Sequence, residues 1–245
     1  MTRIGADQAS TRQLYWVADN VIRSGFPDVE RALRDPDGLL AIGGDLAPAR
    51  LLDAYRRGIF PWYSAGQPIL WWSPNPRCVL EPDGLIVNRS LRKVLRRRPF
   101  RVTFNRAFHE VIRACAEPRR SGPETWITPD VLESYTALHG TGHAVSVECW
   151  AGSALAGGLY GVAIGRVFFG ESMFSRHSDA SKVALVHLVQ QMRLRGFRLL
   201  DCQVHSAHLQ RLGAVPMPRR LFTSILGNYC TSPTPADWPV ESELP

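Results

Sequence analysis

The stretch that most constrains this chain runs from Val167 to Gln203, VFFGESMFSRHSDASKVALVHLVQQMRLRGFRLLDCQ. An apolar run, Val167 to Phe169, ends at Gly170 and presents Glu171 among Met173 and Phe174. Apolar residues then recur at Val183, Leu185, Val186, Val189 and Met192, close to helical spacing, until Gly196 stops them. A second strand over Phe197 to Leu200 delivers Asp201 and Gln203. Strand, crossover helix and strand give one sheet with polar groups at the strand ends, where open α/β sheets usually place ligands. Two carboxylates and an amide converge there. On local pattern alone, Glu171 and Asp201 can equally be strand-end residues that cap a helix or pair with Arg176 or Arg198.

The flanking sequence extends this sheet. Period-two alternation over Ala144 to Trp150, Leu155 to Ile164 and Arg166 to Phe169, with turns at Ala151-Gly152-Ser153 and Gly165, makes a three-stranded meander. Before it come a strand over Arg101 to Phe104, a helix over Ala107 to Ala116, a basic loop over Glu117 to Pro123, and a helix through Leu138 with Thr128 as cap and Pro129 at its first position. After it come a short helix over Ala207 to Leu212 and a last strand over Leu221 to Leu226. Three antiparallel strands, a helix and a strand is the order of the acyltransferase fold that binds acetyl-coenzyme A. Those enzymes grip pyrophosphate with a Gly-rich turn after the fourth strand. Here that junction reads ESMFSRHSDASK, with no glycine after Gly170, so it does not support a nucleotide-type cradle.

Upstream the texture changes. Ser24 to Trp72 is dense in turn signals, with one amphipathic helix from Pro48 to Gly58 and an aromatic cluster of Phe60, Trp62, Tyr63, Trp71 and Trp72. Such a cluster is a small core or a stacking platform for bases. The expected organisation is α+β: a small, irregular, Trp- and Pro-rich domain over 1–76, loosely ordered over its first 13 residues, a mixed-sheet catalytic domain with flanking helices over 77–230, and a disordered acidic, Pro-rich tail over 231–245.

Charge points to a polyanion. Lys and Arg number 29 against 22 acids, and the excess is concentrated: Arg89, Arg92, Lys93, Arg96 and Arg97 fall on one face of a helix whose other side is Leu91, Val94 and Leu95. No acid offsets these five, although like charges at i,i+4 repel. Nucleic acid suits this face better than membrane, because the apolar side is small. The longest weakly polar run, Ala154 to Gly165, is about half the roughly 20 residues of a membrane helix. With no signal-peptide pattern at the N-terminus, the expected location is the cytoplasm. The five cysteines are odd in number and never in CxxC spacing, which suits reduced, structural thiols, and His205 with His208 lacks further metal ligands nearby.

Five blocks carry a family resemblance: GLLAIGGDLAPARLLDAYRRGIFPW (Gly38 to Trp62), ILWWSPNPR (Ile69 to Arg77), TWIT (Thr125 to Thr128), FFGESMFSR (Phe168 to Arg176) and LLDCQ (Leu199 to Gln203). In this order, over about Phe26 to Leu226, they resemble bacterial leucyl/phenylalanyl-tRNA protein transferases. Val29 and Leu159 depart from the family pattern, both to apolar residues.

The resemblance implies an acetyltransferase-like (GNAT-like) catalytic domain that moves Leu, Phe and, less well, Met from aminoacyl-tRNA to the N-terminal Arg or Lys of proteins, marking them for N-degron degradation. It implies neither ATP nor metal; no cofactor, no membrane partner and a monomer are expected. Leu159, Phe168, Leu185 and Leu200 would line the donor side-chain pocket, Trp62 and Trp126 would touch the terminal adenosine, and the basic helix would hold the acceptor stem. Because the ester is already activated, positioning supplies much of the acceleration. Asp201 and Gln203 are expected to orient the amine and ester, with Asp201 helping to remove the proton. Glu171 would hold either the donor's ammonium or the acceptor's cation. Cys202, by strand alternation, is expected to face away from both partners. Fold order alone allows an acyl-coenzyme A enzyme, and the basic helix with the Trp cluster allows a non-catalytic RNA binder; dependence on donor separates the three.

Overall fold

A computed structural model describes residues 14–19, 25–118 and 125–244. Two stretches expected to be loose, residues 1–13 and most of the Glu117 to Pro123 loop, lie outside the described residues. The first sheet has four short strands, β1 (Tyr15–Val17), β2 (Leu39–Gly43), β3 (Phe60–Pro61) and β4 (Leu70–Trp72), in the order β1-β2-β4-β3. Between β2 and β3 runs α1 (Pro48–Arg56), started by a proline at its first position and burying Leu51, Ala54 and Tyr55 at helical spacing. Trp71 is fully buried and donates its indole N–H to Gly43 O at 2.8 Å, which ties β4 to the end of β2.

The second sheet has seven strands: β5 (Arg77–Leu80), β6 (Arg101–Phe104), β7 (Ala144–Ala151), β8 (Ala154–Ile164), β9 (Val167–Ser175), β10 (Leu199–Gln203) and β11 (Val215–Met217), ordered β11-β5-β10-β9-β8-β7-β6. Within this sheet, among the described residues, only β9 and β10 pair in parallel, joined by α5 (Ala180–Leu194), as a crossover helix requires. The other helices are α2 (Arg89–Arg97), α3 (Phe108–Ala116), α4 (Pro129–Gly140), α6 (Ala207–Arg211) and α7 (Arg219–Tyr229). One sheet lies within residues 15–72 and the other within 77–217, yet a single apolar core runs from Leu40, Leu51 and Tyr55 through Tyr135 and Phe169 to Phe222 and Leu226.

Three expectations are corrected. Leu221 to Leu226 is not a strand but part of α7, because Phe222 and Leu226 stand four apart and bury one helical stripe; a short apolar run leaves both periods open. β9 does not end at Phe169 but continues to Ser175, paired with Gly157 to Tyr160 of β8, so Glu171 sits inside a strand. The tail is not disordered. Val240 O accepts the Phe104 N–H and the Ser242 N–H donates to Val102 O, which adds a short antiparallel stretch to the open edge of β6. Trp238 stacks on Phe104 with ring centres 5.6 Å apart, and Ser242 Oγ meets His187 Nδ1 at 3.0 Å and Gln191 Nε2 at 3.2 Å. Free backbone edges and one tryptophan outweigh a composition that otherwise favours disorder.

Candidate active site

The parallel pairing of β9 and β10 stops at Phe169 and Asp201, and beyond that point the two strands part. A cavity of about 350 Å³ occupies the opening. Its apolar wall is Leu159 from β8, Phe168 from β9, Leu185 from α5 and Leu200 from β10, the four residues expected to line a side-chain pocket. Phe168 and Leu200 are cross-strand partners, so they project to the same face, and α5 packs over that face. Trp126, half-buried, closes another side, and Glu171 and Gln203 supply the polar end.

Asp201 follows Leu200 and therefore faces the other way. It is 0% exposed and makes a bidentate pair with Arg77, Nε to Oδ1 at 2.8 Å and Nη2 to Oδ2 at 2.7 Å. The guanidinium also donates to Gly58 O at 3.2 Å and lies between the rings of Phe60 and Phe222, 4.6 and 4.8 Å from their centres. Such a pair is stable only when its remaining donors and acceptors are satisfied, and here they largely are. Asp201 does not line the cavity, contrary to its expected contact with an attacking amine.

Strand alternation separates Asp201 from Cys202 as expected, but Cys202 is the one on the cavity face. Its thiol donates to Leu200 O at 3.8 Å, and its interaction with the Cys78 thiol of β5 lowers the pKa of Cys78 and, with burial, raises that of Cys202.

Asp201 acts on the site through Gln203. Its Oδ1 also accepts the Gln203 N–H at 2.9 Å, at the irregularity that interrupts pairing with β5. Gln203 there has φ 60°, a left-handed conformation that non-glycine residues avoid. The bend turns its side chain onto Glu171, Nε2 donating to Oε1 at 2.9 Å. Of the three expected catalytic residues, Glu171 and Gln203 meet, and Asp201 braces them from behind.

Glu171 has two further partners that the sequence did not single out. Tyr55 of α1 donates to Oε1 at 2.8 Å and Tyr135 of α4 to Oε2 at 3.0 Å, and the two phenol oxygens also contact each other. Burial raises the Glu171 carboxyl to about 7, against the lowering effect of the two tyrosine hydrogen bonds; Asp201 adds to the rise and Arg77 opposes it. Burial first, then the carboxylate, pushes both phenols well above their ordinary range. Tyr55 and Arg77 lie within two of the quoted sequence blocks, so a signal existed for them. Tyr135 had none, being one apolar-face position of α4 beside Val131 and Leu138.

The outer residues divide. Trp62 is 46% exposed, tilted against Trp72 with centres 5.8 Å apart, and is not part of the cavity wall. Within the aromatic cluster, Phe60, Tyr63 and Trp71 are core. Arg89, Arg92, Lys93, Arg96 and Arg97 are all exposed on α2, capped by Asn88 and anchored by buried Leu91, and among the described residues none of the five pairs with a carboxylate.

Comparison with known proteins follows the same residues. The family model described as leucyl/phenylalanyl-tRNA protein transferase matches residues 79–227, and the model for that family's N-terminal domain matches 44–75. Relatives named leucyl/phenylalanyl-tRNA protein transferase include one from Aromatoleum aromaticum, 57% identical over 92% of this chain and 94% of that protein. Others are from Azoarcus sp., 55% identical over 91% and 94%, and Stutzerimonas stutzeri, 56% identical over 87% and 94%. Among solved structures, L-PGS from Bacillus licheniformis gives a TM-score of 0.38 at 9% identity over 69% of this chain and 56% of that one. A GCN5-related N-acetyltransferase from Kribbella flavida gives 0.34 at 14% identity over 73% and 63%. Neither likeness is close enough to bear on the fold or the chemistry.

Proposed function

This chain belongs to the leucyl/phenylalanyl-tRNA protein transferase family, and from that membership we infer that it transfers Leu or Phe from an aminoacyl-tRNA to the N-terminal Arg or Lys of a protein. The observation that carries the reading is an apolar cavity whose polar end is a directly hydrogen-bonded Glu171–Gln203 pair. The donor's side chain enters among Leu159, Phe168, Leu185 and Leu200. A wall of this kind discriminates by only about 1–3 kcal/mol per methylene, so Met is a third, weaker donor. The ester carbonyl then lies at the polar end. Because Gln203 gives its N–H to Glu171, its Oε1 is left to accept from the attacking amine, whose pKa near 7.7–8.0 leaves a sizeable fraction uncharged at neutral pH. Asp201 keeps Gln203 aimed and takes no proton itself.

Trp126 stacks on the terminal adenosine at the cavity mouth, with Trp62 a more distant contact. The five cations of α2 hold the acceptor-stem phosphates without reading sequence. The protein works as a cytoplasmic monomer whose products enter the N-degron route, with residues 1–76 and 77–230 as its two units. Among the described residues no helix is long and apolar enough to cross a membrane. The test is transfer of radiolabelled Leu from Leu-tRNA to a peptide beginning with Arg, beside the same peptide beginning with Ala. Label on the Arg peptide alone is the expected result; label on neither, from folded protein, defeats the reading.

A further inference from the structure

Beside the cavity, three side chains close a ring of oxygens. Tyr55 Oη contacts Tyr135 Oη, Tyr55 Oη lies 2.8 Å from Glu171 Oε1, and Tyr135 Oη lies 3.0 Å from Glu171 Oε2. Each of these contacts needs one hydrogen between its oxygens. With Glu171 ionised, the ring owns two hydrogens, one per phenol, for three contacts. With Glu171 neutral, it owns three. Gln203 Nε2 adds a donor to Oε1 but cannot fill the contact between the phenols. Water cannot fill it either, because the two phenol oxygens are in direct contact.

We propose that Tyr55, Tyr135 and Glu171 act as one proton-holding site, which takes a proton from the acceptor's α-ammonium and returns it to the 3′-oxygen of the donor's ribose. The step rests on the transfer reading above. An N–H bond of the ammonium breaks as an O–H forms on Glu171, and the freed electron pair makes the C–N bond to the ester carbonyl carbon. The ester C–O bond then breaks, and its oxygen takes the proton held in the ring. The second ammonium proton leaves to solvent as the amide forms. Tyr55 and Tyr135 are positioning residues in this scheme, since they act through Glu171. The groups facing the carboxyl are Tyr55 from α1, Tyr135 from α4, Gln203 and Asp201 from β10, and Arg77 from β5. Burial against the two phenols sets it at about 7, where it can both take and give a proton near neutral pH.

Infrared titration of the full chain, with no substrate, reads the site directly. A protonated-carboxyl band with a midpoint near 7 is expected in the unmodified protein and absent from Glu171→Gln. Tyr55→Phe and Tyr135→Phe keep the buried rings and remove one donor each, so each should move the midpoint up by about one unit. In single-turnover transfer, the rate of Tyr135→Phe relative to the unmodified enzyme should rise about sevenfold between pH 6.5 and 9, reflecting that one-unit shift. The amine's own titration drops out of this ratio. A flat ratio, or midpoints unmoved by loss of either hydroxyl, means the tyrosines only pack and overturns the proposal. Should both variants fail to fold, a midpoint below 5 in the unmodified protein overturns it without them. Absence of any transfer by the unmodified enzyme, with the band in place, would instead count against the transfer reading.

Discussion

Glu171 is held where a carboxylate is costly, and that cost has a sign. Its folded pKa of about 7 stands above the ordinary 4.5, so between these values the folded chain binds more protons than the unfolded one. Stability therefore falls as pH rises from about 4.5 to 7, by roughly 3 kcal/mol in total, and stays low above it. Glu171→Gln should lose transfer by about 10²–10⁴-fold and, in urea melts at pH 8, unfold at higher denaturant than the unmodified protein. Replacing Arg77 by Ala strands a buried carboxylate and should cost about 3–5 kcal/mol, seen as a large drop in melting temperature. Asp201→Asn should slow single-turnover transfer through the misaimed Gln203 amide, while gel-shift affinity for Leu-tRNA holds.

Two elements carry their own predictions. On α2, each cation that meets a phosphate steepens the salt dependence of tRNA binding, so Arg92→Glu with Arg96→Glu should weaken binding and flatten the slope of log K against log salt by about two. Similar slopes for the variant and the unmodified protein would remove α2 from the contact. The C-terminal stretch is tied to α5 through His187, whose burial holds it at about 4, below the ordinary 6.5. Below 6.5 the unfolded chain takes up the proton and the folded one does not. The stability this histidine contributes is thus complete above about 6.5 and lost as pH falls to 4, worth about 3 kcal/mol over the window. Deleting residues 231–245 should lower stability and bare the β6 edge, with self-association seen by light scattering.

For the molecule as a whole, the sequence showed the strand-helix-strand frame and the basic face, because each rests on local period or charge. Leu159, Phe168, Leu185 and Leu200 were named from the resemblance and do line one cavity. What escaped was long-range. Tyr135 reaches Glu171 from 36 residues away and Tyr55 from 116, and no local pattern records such a meeting. The face of Asp201 was misjudged for a different reason: an irregularity after it lets Gln203 turn back, so alternation alone assigns the pair to one side. The tail was misjudged from composition, which does not register backbone edges awaiting a partner.

The left-handed bend at Gln203 has a consequence for how this position can change under selection. Glycine would adopt φ 60° without strain, relieving on the order of 1–2 kcal/mol, yet would leave Glu171 without its amide. A library sorted by heat resistance alone should therefore enrich Gln203→Gly, and one sorted by peptide-bond synthesis should never contain it. Robustness and activity pull this single codon in opposite directions.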